Sequence, residues 1–427
     1  ARAWSVRGRE REEARHGVLP PCLNVSPLPS GVEPSLAHYS PAEYRLMEGD
    51  TGKYLLYYAA LHAALRTLQA PPRHHTPGAQ DTRAMQDTPD TPEEVVRVVV
   101  LGAGLGRLPA CCVDCAGELG LQVHLCVVDA NPLVLPTLQR RFQDHSNVYV
   151  HPEPFALRPA VHRSREDLPE GIRQFAGASH LFVAELLGTF GDNEFFPELT
   201  SLASHLFADT TSPGSRFMCI PSSMSTFVAP VHAPGIRSYL QVLKRPLEGT
   251  YIAGLHEGAI VLAPPQQLYS WHVEDSPLVG ESAPSPSCMQ GETSFPGVDP
   301  DMVDGFCGYF TSTLWVQPNH GEEEELGEDD VLEIDSRPDS MTCWHWEHYY
   351  FPIPVLEPEI GSGDSKESED AAAGSKKGEV TFRVCRHLET VQGPDGGDVL
   401  RMWYEWESSM FPGRTANEGG KTQAFYL

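Results

Sequence analysis

The chain has 427 residues, with 31 Lys and Arg against 58 Asp and Glu, so its formal net charge is −27. This length predicts about two or three domains, and 41% hydrophobic with 9% aromatic residues excludes wholesale disorder. The acidity argues against a general phosphate binder and suits basic partners. The sequence contains no apolar run of about eighteen residues, so no membrane association is expected.

The cysteines are scattered. There are 10 of them, and the sequence has no pair of CxxC motifs (CxxC…CxxC), which is typical of a reduced cytoplasmic or nuclear protein. Cys111, Cys112 and Cys115 lie close together; a metal site is one interpretation, but small core residues are the commoner one. We therefore assign no metal.

The N-terminal quarter holds one predicted helix. Residues 1–43 are expected to be a tail. Apolar residues recur at helical spacing over Lys53–Leu68, which predicts a helix that ends before Pro71. Residues 71–94 are rich in Pro, Thr, Asp and Gln without apolar rhythm and predict a flexible insertion.

An α/β pattern begins at Val95. The run VVRVVVLGAGLGRL predicts a buried strand, a glycine-rich turn and a helix. Gln122–Asp129 and His180–Glu185 predict two further strands. Strands that alternate with helical stretches predict a doubly wound, Rossmann-like domain, which we bound at residues 44–220.

The remainder, residues 221–427, is rich in β-branched and aromatic runs such as TFVAPV, GYFTSTLWV and RMWYEW. Such runs predict a β-barrel or sandwich. Pro-, Ser- and acid-rich stretches interrupt them and predict exposed loops at 276–300, 318–340 and 357–378. The fold class is therefore an α/β domain followed by an all-β domain.

The glycine-rich turn is a candidate ligand site. Gly102, Gly104 and Gly106 follow a strand and open a helix, where backbone can approach a ligand. Asp129 ends the next strand, where a carboxylate can hold two ribose hydroxyls. A dinucleotide fingerprint would need glycine where Arg107 stands. The spacing favours S-adenosylmethionine and disfavours a nicotinamide dehydrogenase; a tight turn without ligand is the plain alternative.

Two acids flank a loop after the strand that ends at Glu185. The second, Glu194, closes the segment AELLGTFGDNE. Guanidinium is planar, permanently protonated and accepts carboxylates bidentately. Two facing carboxylates at the carboxyl end of a strand could therefore hold one arginine and orient one of its terminal nitrogens.

This segment resembles the double-glutamate loop of protein arginine methyltransferases, and most closely that of the protein arginine N-methyltransferase 5 family, which makes symmetric dimethylarginine. VVVLGAGLGRL resembles the family's cofactor loop. CIPSSMSTFVAPV, GFCGYF, WHWEHYYFPI and MWYEWE follow in family order. The resemblance covers roughly Tyr44 to Leu427, and the order of several motifs makes it specific.

The resemblance implies a methyltransferase that moves methyl groups from S-adenosylmethionine to arginine nitrogens of Arg/Gly-rich proteins and histones. Glu185 and Glu194 would clamp the guanidinium, and Trp346 would stack over it. It also implies these cofactor contacts: Tyr44, Lys53, Gly102, Gly104, Asp129 and Glu153.

Two residues depart from the symmetric family. Met47 stands where the family has a phenylalanine, and His345 stands where it has a serine. Both features resemble the asymmetric enzymes. Symmetric dimethylation is the expected product, with asymmetric or monomethylated arginine as the alternative. A non-catalytic scaffold relative is a further alternative, and the presence of both glutamates argues against it.

The family also suggests partners. About forty residues precede Tyr44, too few for the family's TIM-barrel domain, which docks a WD-repeat protein. Such a partner is therefore doubtful, and the chain is either shortened or works without it. A homodimer or higher oligomer is also expected. The acidic surface would steer basic, disordered substrate tails.

Overall fold

The computed structural model describes residues 25–27, 39–69, 95–209, 217–254, 259–273, 289–317, 330–338, 340, 343, 346–354, 379–393 and 396–427. Within these ranges, no helix combines the length and apolarity needed to cross a bilayer. The predicted insertion at 71–94, the predicted loop at 357–378 and His345 lie outside the described residues.

The helices of the described residues are α1 (Pro41–Met47), α2 (Thr51–Gln69), α3 (Arg107–Leu119), α4 (Leu135–Phe142), α5 (Glu170–Arg173), α6 (Phe196–Phe207) and α7 (Pro234–Val242). The strands are β1 (Val25–Pro27), β2 (Val96–Leu101), β3 (Val123–Val128), β4 (Val148–Val150), β5 (Leu181–Ala184), β6 (Met218–Ile220), β7 (Ser223–His232), β8 (Tyr251–Ala253), β9 (Ile260–Val261), β10 (Gln266–His272), β11 (Met289–Pro296), β12 (Gly305–Val316), β13 (Val331–Asp335), β14 (His348–Pro352), β15 (Glu379–Gln392), β16 (Asp398–Ser408) and β17 (Phe425–Tyr426).

A parallel sheet carries the first half of the fold, in the spatial order β4-β3-β2-β5-β6. Its strands are nearly continuous apolar runs because both faces are covered. Val98 and Val100 pack with α2 and α3 on one face, while Val99 and Leu101 face the other core cluster. The strand order reverses between β2 and β5. The carboxyl ends of these two strands form the switch point where open α/β sheets bind ligands.

Local sequence explains where the helices of this half begin and end. Ser40 and Glu43 form a capping box that starts α1. Gly106, at φ 96°, precedes α3, and Gly120, at φ 66°, terminates it in the left-handed conformation. Tyr57 and Leu61 of α2 are fully buried in the core cluster that also contains α3. The predicted helix is confirmed, two residues longer at its start.

The second half is antiparallel, which confirms the predicted fold class of an α/β sheet followed by β-structure. The larger sheet follows the order β1-β8-β14-β12-β7-β10, with β13 added to β12 and β9 to β7. The smaller sheet follows the order β11-β15-β16-β17.

Parts of three segments that were not expected to form strands do so. Within 276–300, β11 pairs along its whole length with β15; within 318–340, β13 pairs with β12. The prediction of loops was therefore wrong at these strands. The β11 sequence, MQGETSFP, has few strand-forming residues, and its long partner strand β15 supplies the pairing that local sequence does not specify. The β13 sequence does contain Val331 and Ile334, which favour a strand. From the predicted tail 1–43, β1 pairs with β8.

An aromatic cluster joins the two halves beneath the double-glutamate loop. Phe190, from that loop, stacks on Tyr349 with ring centroids 5.1 Å apart. It meets Phe351 and Tyr404 edge to face at 5.3 and 5.7 Å. All four side chains are buried. The loop is thereby fastened to the antiparallel half as well as to the parallel sheet.

Candidate active site

The glycine loop lies directly against the strand that ends in the first glutamate. Gly102 has φ +74°, and a Cβ atom there would approach the Glu185 carbonyl oxygen to 2.9 Å. Gly104 has φ +55°, and a Cβ there would lie 3.3 Å from the Tyr44 ring. Glycine is therefore required at 102 for conformation and for space. The two predicted loops meet at this point.

Asp129 is the anchor of the glycine loop. Its carboxylate accepts hydrogen bonds from the Gly104 N–H at 2.8 Å and the Asn131 N–H at 2.8 Å. The residue is only 4% exposed, and burial raises the pKa of its carboxyl to about 6. The structure thus places Asp129 beside the predicted cofactor loop, as the spacing indicated.

Glu48 is a site residue that the sequence reasoning missed. Its Oε1 accepts the Leu105 N–H at 2.9 Å and the Arg107 N–H at 3.2 Å at the start of α3. Arg107 in turn donates to the Glu48 carbonyl and stacks over the Tyr54 ring at 4.5 Å. Burial raises the pKa of Glu48. One signal was available: an acid directly after a helix C-terminus opposes the helix dipole, so it is expected to serve another element.

Tyr44 and Met47 come from α1, which lies over the loop. The Tyr44 ring packs on Gly104 and meets Tyr39 edge to face at 6.0 Å. Burial, with Asp129 nearby, raises the pKa of the Tyr44 hydroxyl. Met47 is the last residue of α1 and is half-buried. Tyr44 is thus placed at the cofactor loop.

The double-glutamate loop is held by its own backbone. Gly188 and Gly191 exchange N–H to carbonyl bonds of 3.2 and 2.8 Å. Asn193 Oδ1 accepts the Phe190 N–H at 2.7 Å, and Phe195 takes a left-handed φ of 62° before α6 starts. This short turn returns the chain so that Glu194 comes back toward Glu185.

The two glutamates share one electrostatic environment. Burial first, and then the neighbouring Glu185 carboxylate, raise the pKa of Glu194 to about 7, while Lys53 acts in the opposite direction. Lys53 is fully buried, and its Nζ lies 3.5 Å from Glu185 Oε1. The predicted cofactor contact Lys53 therefore pairs with the first glutamate here. Tyr39, also missed from the sequence, lies near Glu194, whose charge is the main cause that raises the pKa of the tyrosine.

Trp346 lies beside this pair. Its Nε1 donates to the Leu187 carbonyl at 3.1 Å, and its ring meets Phe310 edge to face at 5.0 Å. Lys53 Nζ lies 5.1 Å from the ring centroid. The face of the Trp346 ring therefore lies against a cation next to Glu185.

Glu153 is the predicted cofactor contact with the least support from the structure. It is exposed on the loop after β4, although the Phe155 N–H of the same loop donates to the Asp129 carbonyl at 2.9 Å. The loop is thus tied to the ribose-binding candidate. Within the described ranges, no cluster of three or more His, Cys, Asp or Glu side chains is arranged to hold a metal ion.

The fold is a five-stranded parallel α/β sheet joined to antiparallel sheets, and Glu185 and Glu194 lie beside the glycine loop. The family model described as PRMT5 arginine-N-methyltransferase matches residues 26–212. The sequence of this part of the chain is thus similar to that of the PRMT5 family. It is 26% identical over 338 residues to protein arginine N-methyltransferase 5 of Oryza sativa subsp. indica, covering 78% of this chain and 44% of that protein.

A second relative is protein arginine N-methyltransferase skb1 of Schizosaccharomyces pombe, 24% identical over 380 residues, covering 85% of this chain and 47% of that protein. The chain thus spans less than half the length of these curated relatives. Among solved structures, the Trypanosoma brucei PRMT1 enzyme–prozyme complex with AdoHcy aligns with a TM-score of 0.48 and 13% identity, covering 89% of this chain and 96% of that chain.

Proposed function

We propose that this chain is an S-adenosylmethionine-dependent protein arginine N-methyltransferase that acts on Arg/Gly-rich proteins and histones. The observation that carries the proposal is the convergence of Glu185 and Glu194 beside the glycine loop, close enough to help raise the pKa of Glu194 to about 7. Two carboxylates held this way are stabilised by a shared cation, and a guanidinium is a planar, bidentate one.

The surroundings of the glycine loop fit S-adenosylmethionine better than a dinucleotide. The loop is a cradle that side chains would fill, with the Asp129 carboxylate at its edge and the Lys53 ammonium close by. A pyrophosphate would need the free N–H groups at the start of α3. The Glu48 carboxylate already accepts two of them, so an anionic group is excluded there.

The chain's own residues would act mainly by positioning. When bound, the cofactor supplies a methyl group on a sulfonium. Glu185 and Glu194 hold the guanidinium and concentrate its positive charge, which leaves the lone pair of one terminal nitrogen available. Trp346 offers a ring face to the cation, worth about 1 kcal/mol. Tyr44 and Asp129 would position the cofactor, and Lys53 would bind its carboxylate.

Symmetric dimethylarginine remains the expected product, with asymmetric dimethylarginine or monomethylarginine as the alternative because of Met47 and His345. Cytoplasmic or nuclear localisation, an oligomeric assembly and basic protein substrates belong to the same proposal. The net charge of −27 supports the last of these, since it favours encounter with basic tails at low salt.

The test is an incubation of the purified chain with S-adenosylmethionine and an Arg/Gly-rich peptide, followed by mass spectrometry of the arginines. Wild type should transfer methyl groups. Glu194→Gln should lose about a hundredfold in rate, the usual effect of removing one preorganised electrostatic partner. Glu292→Gln, which changes an exposed carboxyl on β11, is the matched control and should retain full rate.

Each outcome of this experiment is informative. Symmetric dimethylarginine would show that Met47 and His345 do not set the product; asymmetric dimethylarginine would show that they do. Monomethylarginine alone would indicate a pocket too tight for a second transfer. Wild type that binds S-adenosylhomocysteine but modifies no arginine would refute the proposal in favour of a non-catalytic scaffold.

A further inference from the structure

A second group of buried charges lies outside the site described above. Asp192, Glu198 and Arg386 are exposed by only 0%, 2% and 1%. Buried charges are strongly unfavourable unless they are paired and hydrogen-bonded. Neither the cofactor site nor the guanidinium clamp uses these three side chains, so their retention in the interior needs its own explanation.

Arg386 joins the two acids. Its Nη1 and Nη2 donate to Glu198 Oε1 and Oε2 at 2.7 and 2.8 Å, a bidentate pair. Its Nε lies 3.1 Å from Asp192 Oδ2, and Nη2 also donates to the Asp192 carbonyl at 3.4 Å. One guanidinium therefore holds both a side chain and the main chain of the loop.

Two tyrosines complete the group. Tyr404 donates its hydroxyl hydrogen to Asp192 Oδ1 at 2.5 Å, and Tyr269 donates to Oδ2 at 3.1 Å. Arg386 is on β15, Tyr404 on β16 and Tyr269 on β10. Both antiparallel sheets thus reach into the double-glutamate loop, and each oxygen of the Asp192 carboxylate has a hydroxyl donor.

The position of the two acids in the chain is the informative point. Asp192 lies two residues before Glu194, and Glu198 lies four residues after it. The guanidinium of Arg386 therefore binds one residue on each side of Glu194 in the chain. Between these fixed points the backbone passes through the left-handed residue Phe195, which leaves little freedom for Glu194 to move relative to Glu185.

We propose that Arg386 is a positioning residue that acts through Asp192 and Glu198 to hold Glu194 at the separation from Glu185 that substrate arginine requires. The inference rests on the proposed function for its catalytic consequence. Its structural part, that the antiparallel sheets fix the double-glutamate loop, stands without it. The bidentate geometry also requires arginine, since lysine provides a single point charge.

Arg386→Lys tests the proposal, because it keeps the positive charge and loses the bidentate hydrogen bonds to Glu198. We expect S-adenosylhomocysteine affinity within twofold of wild type, since no atom of this group contacts Gly102, Gly104 or Asp129 in the bonds described. We expect kcat to fall about 10- to 100-fold, with a smaller change in KM, as for small misplacement of reacting groups. Amide hydrogen exchange should accelerate in 188–195 and not in 102–106.

Arg383→Lys is the matched control, since Arg383 is exposed on the same strand three residues earlier. It should leave kcat and exchange unchanged. Glu198→Gln is a milder second variant in case Arg386→Lys does not fold, and it should shift kcat and exchange in the same direction. The proposal would be overturned if cofactor affinity and kcat fell together while amide exchange became faster throughout the chain. It would also be overturned if kcat and amide exchange were both unchanged. If wild type is inactive, only the proposed function is refuted. Faster amide exchange of residues 188–195 in Arg386→Lys would then still decide whether Arg386 fixes the double-glutamate loop.

Discussion

The raised pKa of Glu194 predicts that this glutamate of the proposed guanidinium clamp lowers the stability of the folded protein at neutral pH. Burial and the Glu185 charge raise this pKa from an ordinary 4.5 to about 7. The folded state therefore holds the proton more tightly than the unfolded chain does. The contribution of this group to stability is greatest below pH 4.5 and is lost as the pH rises through about 7.

Replacing Glu194 by Gln removes this titration, because the amide is neutral throughout. The complete shift is worth about 3 kcal/mol, of which about 2 kcal/mol develops between pH 5 and pH 8. The difference in free energy of unfolding between Glu194→Gln and wild type should therefore be about 2 kcal/mol more favourable to the variant at pH 8 than at pH 5. The same variant should lose about a hundredfold in methyl-transfer rate.

Denaturant unfolding of both proteins without ligands, at several pH values between 5 and 8, measures the effect. Glu292→Gln, on an exposed position, controls for the general effect of removing one negative charge from an acidic chain. A stability difference between Glu194→Gln and wild type that is the same at pH 5 and pH 8 would contradict the assignment of a raised pKa to Glu194.

Three other predictions follow from the same geometry. The methyl-transfer rate of wild type at saturating cofactor should rise with pH as Glu194 ionises, with a midpoint below about 7 because the positively charged cofactor lowers the pKa of this carboxyl, and a flat rate profile from pH 5 to 8 would argue against a charged clamp. Gly102→Ala, at φ +74° and against the Glu185 carbonyl, should lower the free energy of unfolding by about 2 kcal/mol and weaken S-adenosylhomocysteine binding at least tenfold by calorimetry. Glu48→Ala should cost about 1 kcal/mol of stability, because it removes the acceptor of the Leu105 and Arg107 N–H groups at the start of α3; an unchanged thermal midpoint would mean that these two hydrogen bonds are unimportant.

Local sequence was sufficient for the cofactor half of the site. The apolar run of β2, the glycines after it and the acid after β3 are close in sequence and have few structural alternatives. The positive φ of Gly102 and the short hydrogen bond from Gly104 to Asp129 follow directly from that pattern. The same reasoning gave β5 and the loop after it.

Contacts between distant segments could not be obtained in this way. Arg386 and Glu198 are 188 residues apart, and a lone arginine in a strand gives no sign that it will be buried. The strand β11 was missed for a related reason, because its pairing partner β15 decides its conformation. Val331 and Ile334 of β13 were a local signal for a strand, which the acidic residues before them obscured. Lys53 was predicted as a cofactor contact, but its pairing with Glu185 on another element could not be read from spacing.

Burial first, and then the charge of Glu185, raise the pKa of Glu194 to about 7. Asp129, Glu185 and Glu194 converge on a region where Lys53 is the cation that pairs with Glu185. This set of four side chains therefore has two more negative than positive charges when it is fully ionised. A sulfonium cofactor carries a net charge of +1 and a substrate guanidinium another, so together they would neutralise the set. Without them, this excess of negative charge adds to the effect of burial in raising the pKa of Glu194. We expect each ligand to lower the pKa of Glu194. Each ligand should therefore bind the complex of the protein with the other ligand more tightly than it binds the free protein.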